Sequence, residues 1–299
     1  MSYLNANDRA GHLPETWYHA ALPVLDKRPS LKGRIETDLC VIGAGLTGLN
    51  AATLAAQNGL RVVVLDAHRI GFGASARSGG QIGKGFRENA ANLSSRYGEK
   101  TAHALNAIAD RGFARASALA PTSFCPGLIE AVLDRRAKPT SASALDEAQL
   151  AARIGTTAYT GGIFDPDEGA CNPLEMLQTL SNEADKTGLQ IFERSEVHQV
   201  SGTIVRTGSG QVTAKQVDIA TNGYGSQLTR ATAARLLPIK NYIAVPEPLG
   251  TNAPMVDPVA VYDTRNIVFY FRQTPDGRLL FGGGESYGRR FTPDIAGTV

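Results

Sequence analysis

Cysteine is scarce in this sequence, and neither sign of charge is in large excess. Its three cysteines, Cys40, Cys125 and Cys171, are far apart and form no Cys-x-x-Cys pair. An odd number of separated cysteines argues against a disulfide framework, so we expect reduced thiols and a cytoplasmic location. The 30 basic and 28 acidic residues leave a formal charge of +2. That balance provides no basic field to attract nucleic acid or an anionic membrane, so we expect neither as a partner.

Long apolar runs and metal-ligand patterns are also missing. No run reaches the roughly 18 apolar residues that a membrane-spanning helix needs, and the N-terminus lacks the pattern of a signal peptide. The five histidines are scattered without metal-ligand spacing, so no metal site is expected.

A β-α-β unit stands out near the N-terminus. Thr37–Ile42 is a short apolar run that predicts a buried strand, and Leu46–Asn58 has the apolar spacing of a helix. Leu60–Leu65 predicts a second buried strand, which ends at Asp66. About 30 residues is the usual size of two parallel strands joined by a crossover helix.

Gly43-Ala44-Gly45-Leu46-Thr47-Gly48 is a G-x-G-x-x-G motif between the first strand and the helix. In that context Gly43 allows a tight turn, Gly45 a close approach to a pyrophosphate, and Gly48 close packing of helix and strand. The helix N-terminus offers free amides to phosphates. Asp66 can accept hydrogen bonds from ribose hydroxyls, and its charge disfavours a 2′-phosphate. The alternative is a plain βα turn without a ligand.

Two further segments rich in small residues follow. Residues 71–81 (GFGASARSGGQ) could wrap an extended dinucleotide, with Arg77 paired to a phosphate or to a carboxylate. A flexible surface loop is the alternative. Residues 219–224 (IATNGY) end an apolar strand with small residues that allow close approach to a ligand. An ordinary turn at a strand end is the alternative there.

The rest of the chain alternates predicted helices and strands. We predict helices over Leu93–Ala120, Leu145–Arg153 and 173–186. We predict strands over 127–133, 161–164, 189–192, 197–207, 211–214 and 217–221. A Thr-Pro-Asp-Gly turn between 267–272 and 278–281 predicts a hairpin. This pattern indicates an α/β half built from non-contiguous pieces and a β-rich half.

Together these motifs resemble the D-amino-acid-oxidase-like flavoproteins, a superfamily that includes glycine and sarcosine oxidases. The sequence is most similar to bacterial γ-glutamylputrescine oxidoreductases in three segments: 41–81, 220–224 (ATNGY) and 275–284 (PDGRLLFGGG). The resemblance covers the chain from about Trp17 onward. No single piece is specific, but the combination is.

The resemblance implies an α/β fold with a Rossmann-type FAD-binding domain and a β-rich (α+β) substrate domain. The FAD-binding domain would comprise 35–90 and 165–230, the substrate domain 91–164 and 231–299, and residues 1–34 an N-terminal extension. The family continues past Val299, so the resemblance also implies that a closing glycine-rich loop and helix lie beyond this chain's end.

The resemblance further implies an FAD site and an amine substrate. The residues expected at FAD are Gly43, Ala44, Gly45, Leu46, Thr47, Gly48, Asp66, Ala67, Ser75, Arg77, Gly79, Gly80, Gln81, Val197, Thr221, Asn222 and Gly223. Some relatives carry a histidine near Arg77 that bonds covalently to flavin; arginine here predicts non-covalent FAD. Lys84 and Tyr270 are candidates to face the substrate, with a solvated surface lysine and a strand tyrosine as alternatives. No catalytic residue is assigned.

Three functions compete. The first is an FAD-dependent oxidoreductase that transfers hydride from the carbon beside an amine nitrogen, with imine hydrolysis and reoxidation by O2 or another acceptor. The second is a non-catalytic or incomplete nucleotide-binding fragment without the segment that closes the flavin site. The third is a nicotinamide-dependent dehydrogenase, which leaves residues 75–81 unexplained.

Overall fold

The computed structural model of this chain describes residues 12–86, 88–134, 136, 141–225, 228–237 and 239–286. The ends of the predicted N-terminal extension and substrate domain, residues 1–11 and 287–299, lie outside these ranges. The helices of the described chain are α1 (Trp17–Ala20), α2 (Leu46–Gln57), α3 (Ala90–Tyr97), α4 (Glu99–Ala118), α5 (Glu147–Ile154), α6 (Pro173–Thr187) and α7 (Arg230–Ala233). Short 3-10 helices occur at Ala74–Ala76, Asn222–Gly225 and Gly250–Asn252.

The strands are numbered in chain order. They are β1 (Gly33–Ile42), β2 (Val62–Leu65), β3 (Gln81–Ile82), β4 (Cys125–Val132), β5 (Ala144–Asp146), β6 (Gly161–Ala170), β7 (Gln190–Phe192), β8 (Val197–Ser201), β9 (Ile204–Thr207), β10 (Gly210–Ile219), β11 (Lys240–Ala244), β12 (Ala260–Asp263), β13 (Tyr270–Gln273) and β14 (Leu279–Ser286). The mixture of helices and strands confirms the predicted α/β class.

The first of two compact units consists of 12–78 and Pro173–Lys240. Its six-stranded sheet has the order β7-β2-β1-β10-β9-β8. β1 runs parallel to both β2 and β10, and β9 pairs antiparallel with β10 and β8. All four residues of β2 are buried, as expected for a parallel strand covered on both faces. The core on one face includes Leu31, Cys40, Ile42, Val63, Leu65 and Val212.

The second unit consists of Gly79–Asn172 and Asn241–Glu285. Its sheet has the order β11-β14-β13-β12-β4-β6-β3, with β5 paired to β6. Helix α5 begins with a capping box between Asp146 and Gln149 and ends at Gly155, whose φ is +73°. Its buried Leu150 and Ile154 pack with residues of β4, β12 and β13. The assignment of FAD binding to one predicted domain and substrate binding to the other stays a prediction.

The mostly helical region predicted over Leu93–Ala120 contains two helices, because Gly98 adopts a φ of +80° between α3 and α4. Two strand predictions were wrong in detail. The strand predicted over 197–207 is the hairpin of β8 and β9, which turns at Gly202 with a φ of +58°. The strands predicted over 211–214 and 217–221 are one strand, β10, because pairing with β1 resumes at the polar Gln216 between them.

Candidate functional site

The G-x-G-x-x-G turn follows β1 and leads directly into α2. Gly43 has a φ of +110°, and a Cβ there would lie 2.6 Å from the carbonyl oxygen of Ala220. A Cβ on Gly48 would lie 1.9 Å from the carbonyl oxygen of Gly43. Because both obstacles are backbone atoms, side chains at these positions would force the strand and the helix apart. The glycines thus allow the helix to begin directly above the strand end.

The N-terminus of α2 presents amide groups at this turn. Gly45 is the N-cap residue and has no side chain that could cap the helix. Ser75 Oγ accepts a hydrogen bond from the Leu46 amide at 3.2 Å. Within the described parts of the chain, the amides of Thr47 and Gly48 have no acceptor. Unsatisfied amides and the positive end of the helix dipole suit this N-terminus to a phosphate group.

Asp66 follows β2 and reaches the glycine turn. Its Oδ2 accepts from the Ala44 amide at 2.7 Å, and its Oδ1 accepts from the His68 amide at 2.8 Å. Burial raises the pKa of Asp66, whereas these two amide hydrogen bonds oppose the rise in pKa. A carboxylate has about four lone-pair positions. Asp66 therefore keeps capacity to accept from ribose hydroxyls, and exposed Ala67 leaves space beside it.

The segment 71–78 is a folded loop, unlike the flexible surface loop that was its alternative interpretation. Its Phe72 and Ala76 are only 3% and 0% exposed. Arg77 Nε donates to the Phe72 carbonyl at 2.8 Å, Nη2 donates to the same oxygen, and the guanidinium lies 5.3 Å from the Phe72 ring centroid. The sequence indicated a phosphate or a carboxylate as the partner of Arg77. The Phe72 carbonyl is a partner that it did not indicate.

The third motif lies beside the first. The Ala220 amide donates to the Ile42 carbonyl at 2.8 Å, which extends the parallel pairing of β10 and β1 into the glycine turn. Asn222 adopts a φ of +48° and opens the 3-10 helix Asn222–Gly225. Thr221 precedes it, and Gly223 lies within it. The carboxyl ends of neighbouring parallel strands are where open α/β sheets bind ligands, and the structure brings the three motifs together there.

Val197 begins β8 and is buried in the sheet core. The residues just before it pair with the segment after β2: the amide of Arg194 donates to His68, and the amide of Ser195 donates to Asp66. These hydrogen bonds join the start of β8 to the end of β2. The structure thus connects the segment just before Val197 to the region of Asp66, and a contact of Val197 with adenine stays a prediction.

Comparison with known proteins identifies the family. The family described as "DAO: FAD dependent oxidoreductase" matches residues 38–298. The chain belongs to this family. FAD is the cofactor of the DAO family, so the predicted cofactor is confirmed. The glycine turn, the amides at the start of α2 and the acceptor capacity of Asp66 fit the pyrophosphate and ribose of FAD.

Two curated relatives are similar along most of this DAO chain. The probable oxidoreductase OrdL of Rhizobium meliloti (strain 1021) is 32% identical over 312 residues, covering 95% of this chain and 72% of that protein. The γ-glutamylputrescine oxidoreductase of Escherichia coli (strain K12) is 32% identical over 292 residues, covering 89% of this chain and 68% of that protein. The chain is therefore shorter than both relatives.

Solved structures share the fold at lower identity. Glycine oxidase from Geobacillus kaustophilus has a TM-score of 0.62 and 18% identity, covering 84% of this chain and 72% of that one. L-proline dehydrogenase from P. horikoshii also has a TM-score of 0.62, with 19% identity and coverage of 85% and 71%. At these identities the likeness shows that this chain has the fold of DAO-family FAD-dependent proteins.

Gly79, Gly80 and Gln81 belong to the second unit of the DAO chain. A Cβ on Gly79 would lie 2.6 Å from Cε2 of Tyr270, so the ring packs against this glycine. Arg272 donates to the carbonyls of Gly79 at 3.4 Å and of Cys171 at 2.9 Å. Gly80 accepts from the Cys171 amide, and the Gln81 side chain donates to Val261. A substrate-facing role for Tyr270 stays a prediction, and the sequence offered no signal for Arg272.

Lys84 lies among acidic side chains of the second unit. Its Nζ is 2.9 Å from Asp167 Oδ2 and 3.5 Å from Asp165 Oδ1, and its backbone amide donates to Glu168. Its side chain is 33% exposed, and the hydrogen bond to Asp167 is the main cause of its raised pKa. Lys84 is therefore an ion-paired lysine, and a substrate-facing role stays a prediction.

Cys40, Cys125 and Cys171 form no disulfide in the structure. Burial raises the pKa of Cys40 to about 12. Across the described residues, no group of three or more His, Cys, Asp or Glu side chains could hold a metal ion. Nor is any helix in those ranges long and apolar enough to cross a membrane.

Proposed function

We propose that this DAO chain is an amine oxidoreductase that oxidises the C–N bond of a γ-glutamylputrescine-like amine or of a small amino acid or amine. The chemistry that FAD supplies when bound is acceptance of hydride from the carbon beside the amine nitrogen, after which the imine is hydrolysed and O2 or another acceptor takes the electrons. This corresponds to an enzyme of the EC 1.4 or 1.5 type. The observation that carries the proposal is the convergence of the glycine turn, Asp66 and the Thr221–Gly223 segment at the carboxyl ends of β1 and β10.

The residues of the chain would bind and orient the cofactor. The amides of Thr47 and Gly48 would hold the pyrophosphate beside the Gly43–Gly45 turn, with Ala44 and Leu46 on either side of Gly45. Asp66 would bind the adenosine ribose beside Ala67, and Val197 the adenine. The flavin side would be bordered by Ser75, Arg77, Gly79, Gly80 and Gln81, and by Thr221, Asn222 and Gly223. Arg77 is not a covalent attachment point, so FAD would be held non-covalently.

The choice of an amine substrate rests on the relatives. One relative at 32% identity is named γ-glutamylputrescine oxidoreductase, and glycine oxidase and L-proline dehydrogenase share the fold. Tyr270 and Lys84 would face the substrate from the second unit. The free thiols are consistent with a reducing cytoplasm, and a role in putrescine catabolism would follow from the substrate.

The test uses the purified chain. Its absorption spectrum is recorded before and after acid precipitation, because non-covalent flavin moves to the supernatant. γ-Glutamylputrescine, putrescine, glycine and sarcosine are then added without oxygen, and bleaching of the flavin bands by one of them is expected. Gly112→Ala serves as a control, since Gly112 lies on α4 with open space around it.

Each negative result contradicts a different part of the proposal. A protein that carries flavin but is bleached by none of the amines would contradict the amine substrate. A colourless, folded protein that binds no added FAD would contradict the cofactor site in this chain and favour the incomplete nucleotide-binding fragment. Tight NAD binding without flavin would favour the nicotinamide-dependent alternative.

A further inference from the structure

The short helix α1 contacts both ends of the loop 71–78. Tyr18 Oη donates to the Ser78 carbonyl at 2.8 Å, and His19 Nε2 lies 3.1 Å from the Gly71 carbonyl oxygen. The two acceptors are the first and last residues of the loop that carries Ser75 and Arg77. Adjacent residues of one helical turn therefore connect to the loop at both of its ends.

The hydrogen bonds of His19 define its tautomer. A carbonyl oxygen only accepts, so Nε2 carries the proton that is donated to Gly71. His19 Nδ1 lies 2.7 Å from Thr16 Oγ1, and that same oxygen accepts from the His19 amide at 3.3 Å. The Thr16 hydroxyl can therefore donate to Nδ1 while it caps α1. The neutral ring satisfies both of its nitrogens, and burial lowers the pKa of His19.

Two features fix the orientation of these side chains. Tyr18 is 3% exposed, so its ring cannot swing into solvent without exposing buried apolar surface. Gly71 has a φ of +92°, and a Cβ there would lie 3.0 Å from Leu174 Cδ1 and 3.5 Å from His19 Nε2. Glycine at 71 thus lets the loop backbone approach His19 closely. The contact depends on the loop sequence as well as on α1.

The segment between α1 and β1 anchors the helix to the first unit. Arg28 makes two hydrogen bonds to Asp185, at 2.7 and 2.9 Å, and its backbone amide donates to Glu193 at 3.1 Å. Glu193 is buried, and its other carboxylate oxygen accepts from the Ile70 amide at 3.0 Å. Glu193 therefore connects the N-terminal segment to the residue just before the loop. The hydrogen bonds of Arg28 to Asp185 involve no residue of the loop, so they anchor the segment after α1 without the loop.

Inside the loop, Ser75 lies against the proposed phosphate site. Its Oγ accepts from the Leu46 amide at 3.2 Å, and a Cβ on Gly45 would lie 2.7 Å from that oxygen. Movement of the loop would therefore withdraw Ser75 from the N-terminus of α2. A binding site that is held in place before the ligand arrives loses less entropy on binding. The geometry of α1 thus bears on cofactor affinity.

We propose that Tyr18 and His19 are positioning residues that pre-organise the loop 71–78 for FAD. Neither side chain needs to touch the cofactor. The inference rests on the FAD site proposed above and gives the N-terminal extension a role that its sequence did not indicate. A purely structural role for α1 would instead lower the stability of the whole unit.

The test compares Tyr18→Phe, His19→Phe and the double variant with the parent chain. Tyr97→Phe and His103→Phe are matched controls, because both residues are exposed on α3 and α4. His19→Gln is the rescue variant, since a glutamine amide can donate from about the position of Nε2. Each protein is freed of flavin and titrated with FAD, and hydrogen–deuterium exchange of peptides covering 71–78 and 62–65 is measured without FAD.

We expect each single variant to bind FAD about fivefold more weakly, which is the usual effect of one hydrogen bond. Exchange in 71–78 should accelerate, while exchange in β2 and the melting temperature of the flavin-free protein stay at parental values. His19→Gln should recover most of the affinity. Parental affinity in the double variant would overturn the proposal. Faster exchange in both peptides with a lower melting temperature would also overturn it, because that result shows a general loss of stability.

Failure of this inference differs from failure of the proposed function. If the parent chain binds no FAD, the cofactor site is wrong and the proposed role in FAD binding fails with it. The exchange measurement then still decides whether Tyr18 and His19 order the loop. If the parent binds FAD and the variants bind it equally well, the site stands and only the positioning role is wrong.

Discussion

The carboxylate of Asp66 accepts a hydrogen bond from the backbone amide of Ala44, with an N···O distance of 2.7 Å. This contact joins the end of β2 to the glycine turn after β1. Its second oxygen accepts from the His68 amide, two residues further on. Asp66 therefore holds the turn in place before it could bind a ribose. Asparagine at this position would lose the charge and one of the two acceptors.

Asp66→Asn should change how stability depends on pH. The folded-state pKa of Asp66 is raised from 3.8 by burial. Its contribution to stability is therefore fully present below pH 3.8 and is lost as the pH rises through the folded-state pKa. Asparagine does not titrate, so the variant should gain stability relative to the parent as the pH rises. Urea unfolding of the flavin-free proteins at several pH values measures this difference.

The control for that experiment is Asp110→Asn, because Asp110 is exposed on α4. Its stability relative to the parent should not follow the same trend with pH. In the same proteins, FAD titration at neutral pH should show at least a tenfold loss of affinity for Asp66→Asn, since hydrogen bonds to charged groups contribute about 1.5–3 kcal/mol. If the difference in unfolding free energy between Asp66→Asn and the parent is the same at every pH, the conclusion that burial raises the pKa of Asp66 is wrong.

Gly48→Ala should prevent the close contact of α2 with the glycine turn. The new Cβ would lie 1.9 Å from the Gly43 carbonyl oxygen and 3.2 Å from Ala220 Cβ. Backbone must move to relieve the first contact, so we expect a loss of about 2 kcal/mol or more in the free energy of unfolding. The variant should also purify with little or no flavin. Denaturant unfolding measures the free energy of unfolding, and the ratio of flavin to protein absorbance measures the flavin content.

Gly112→Ala is the matched glycine substitution. Gly112 lies inside α4, and a Cβ there would meet no atom within 4 Å. Alanine should stabilise the chain by about 0.5–1 kcal/mol, because glycine is the poorer helix former. If Gly48→Ala behaves like Gly112→Ala, the packing reason given for Gly48 is wrong.

Arg77→Lys should open the loop 71–78, although the charge is kept. The guanidinium contacts the Phe72 carbonyl through two nitrogens and lies over the Phe72 ring. The ammonium group of lysine cannot reproduce this planar, bidentate contact. We expect FAD affinity to fall about tenfold, as measured by titration of the flavin-free protein. Arg206→Lys, at an exposed position of β9, is the control and should bind FAD like the parent; equal affinity of the two variants would contradict a role for the Arg77 contact.

Local sequence patterns predicted the part of the fold that surrounds the glycine turn. The apolar runs at β1 and β2 and the glycines that follow β1 indicate strands and a turn by themselves, so the β-α-β unit followed from short-range signals. The prediction of two separate strands within β10 was wrong, because the polar Lys215 and Gln216 interrupt the apolar pattern. In the structure Gln216 pairs with Leu39 of β1, and such long-range pairing leaves no local signal.

The candidate site was predicted unevenly for the same reason. The motif glycines and Asp66 are recognised by spacing along the chain. Tyr18 and His19 meet the loop 60 and 52 residues away through carbonyl oxygens, which every residue possesses. Arg272 likewise binds the carbonyls of Gly79 and Cys171. Any residue type can supply the backbone carbonyl that such a side chain binds. The sequence therefore gives no sign of which distant residue the side chain contacts.

The three cysteines should react with thiol reagents in a defined order. Cys40 and Cys171 are 0% exposed, and burial raises the pKa of Cys40 to about 12, so thiolate is scarce at neutral pH. Cys125 is more accessible, although burial also raises its pKa, and its Sγ lies 3.0 Å from the Pro258 carbonyl oxygen. We expect at most one thiol, that of Cys125, to react slowly with an aromatic disulfide reagent in the native chain. All three should react after denaturation without prior reduction.

Substitution separates the three thiols. Cys125→Ser should abolish the native-state reaction and leave two thiols in denaturant, whereas Cys171→Ser should keep the native-state reaction of the parent. Cys40 lies in β1 two residues before Ile42, which precedes the glycine turn, so its reaction requires β1 to leave the sheet. Reaction at Cys40 should therefore follow global unfolding and slow further when FAD is added, because a ligand that binds only the folded state lowers the unfolded population. A rapid reaction of Cys40 in the native chain would show that β1 opens locally, and the glycine turn that follows it could not then be a pre-formed phosphate site.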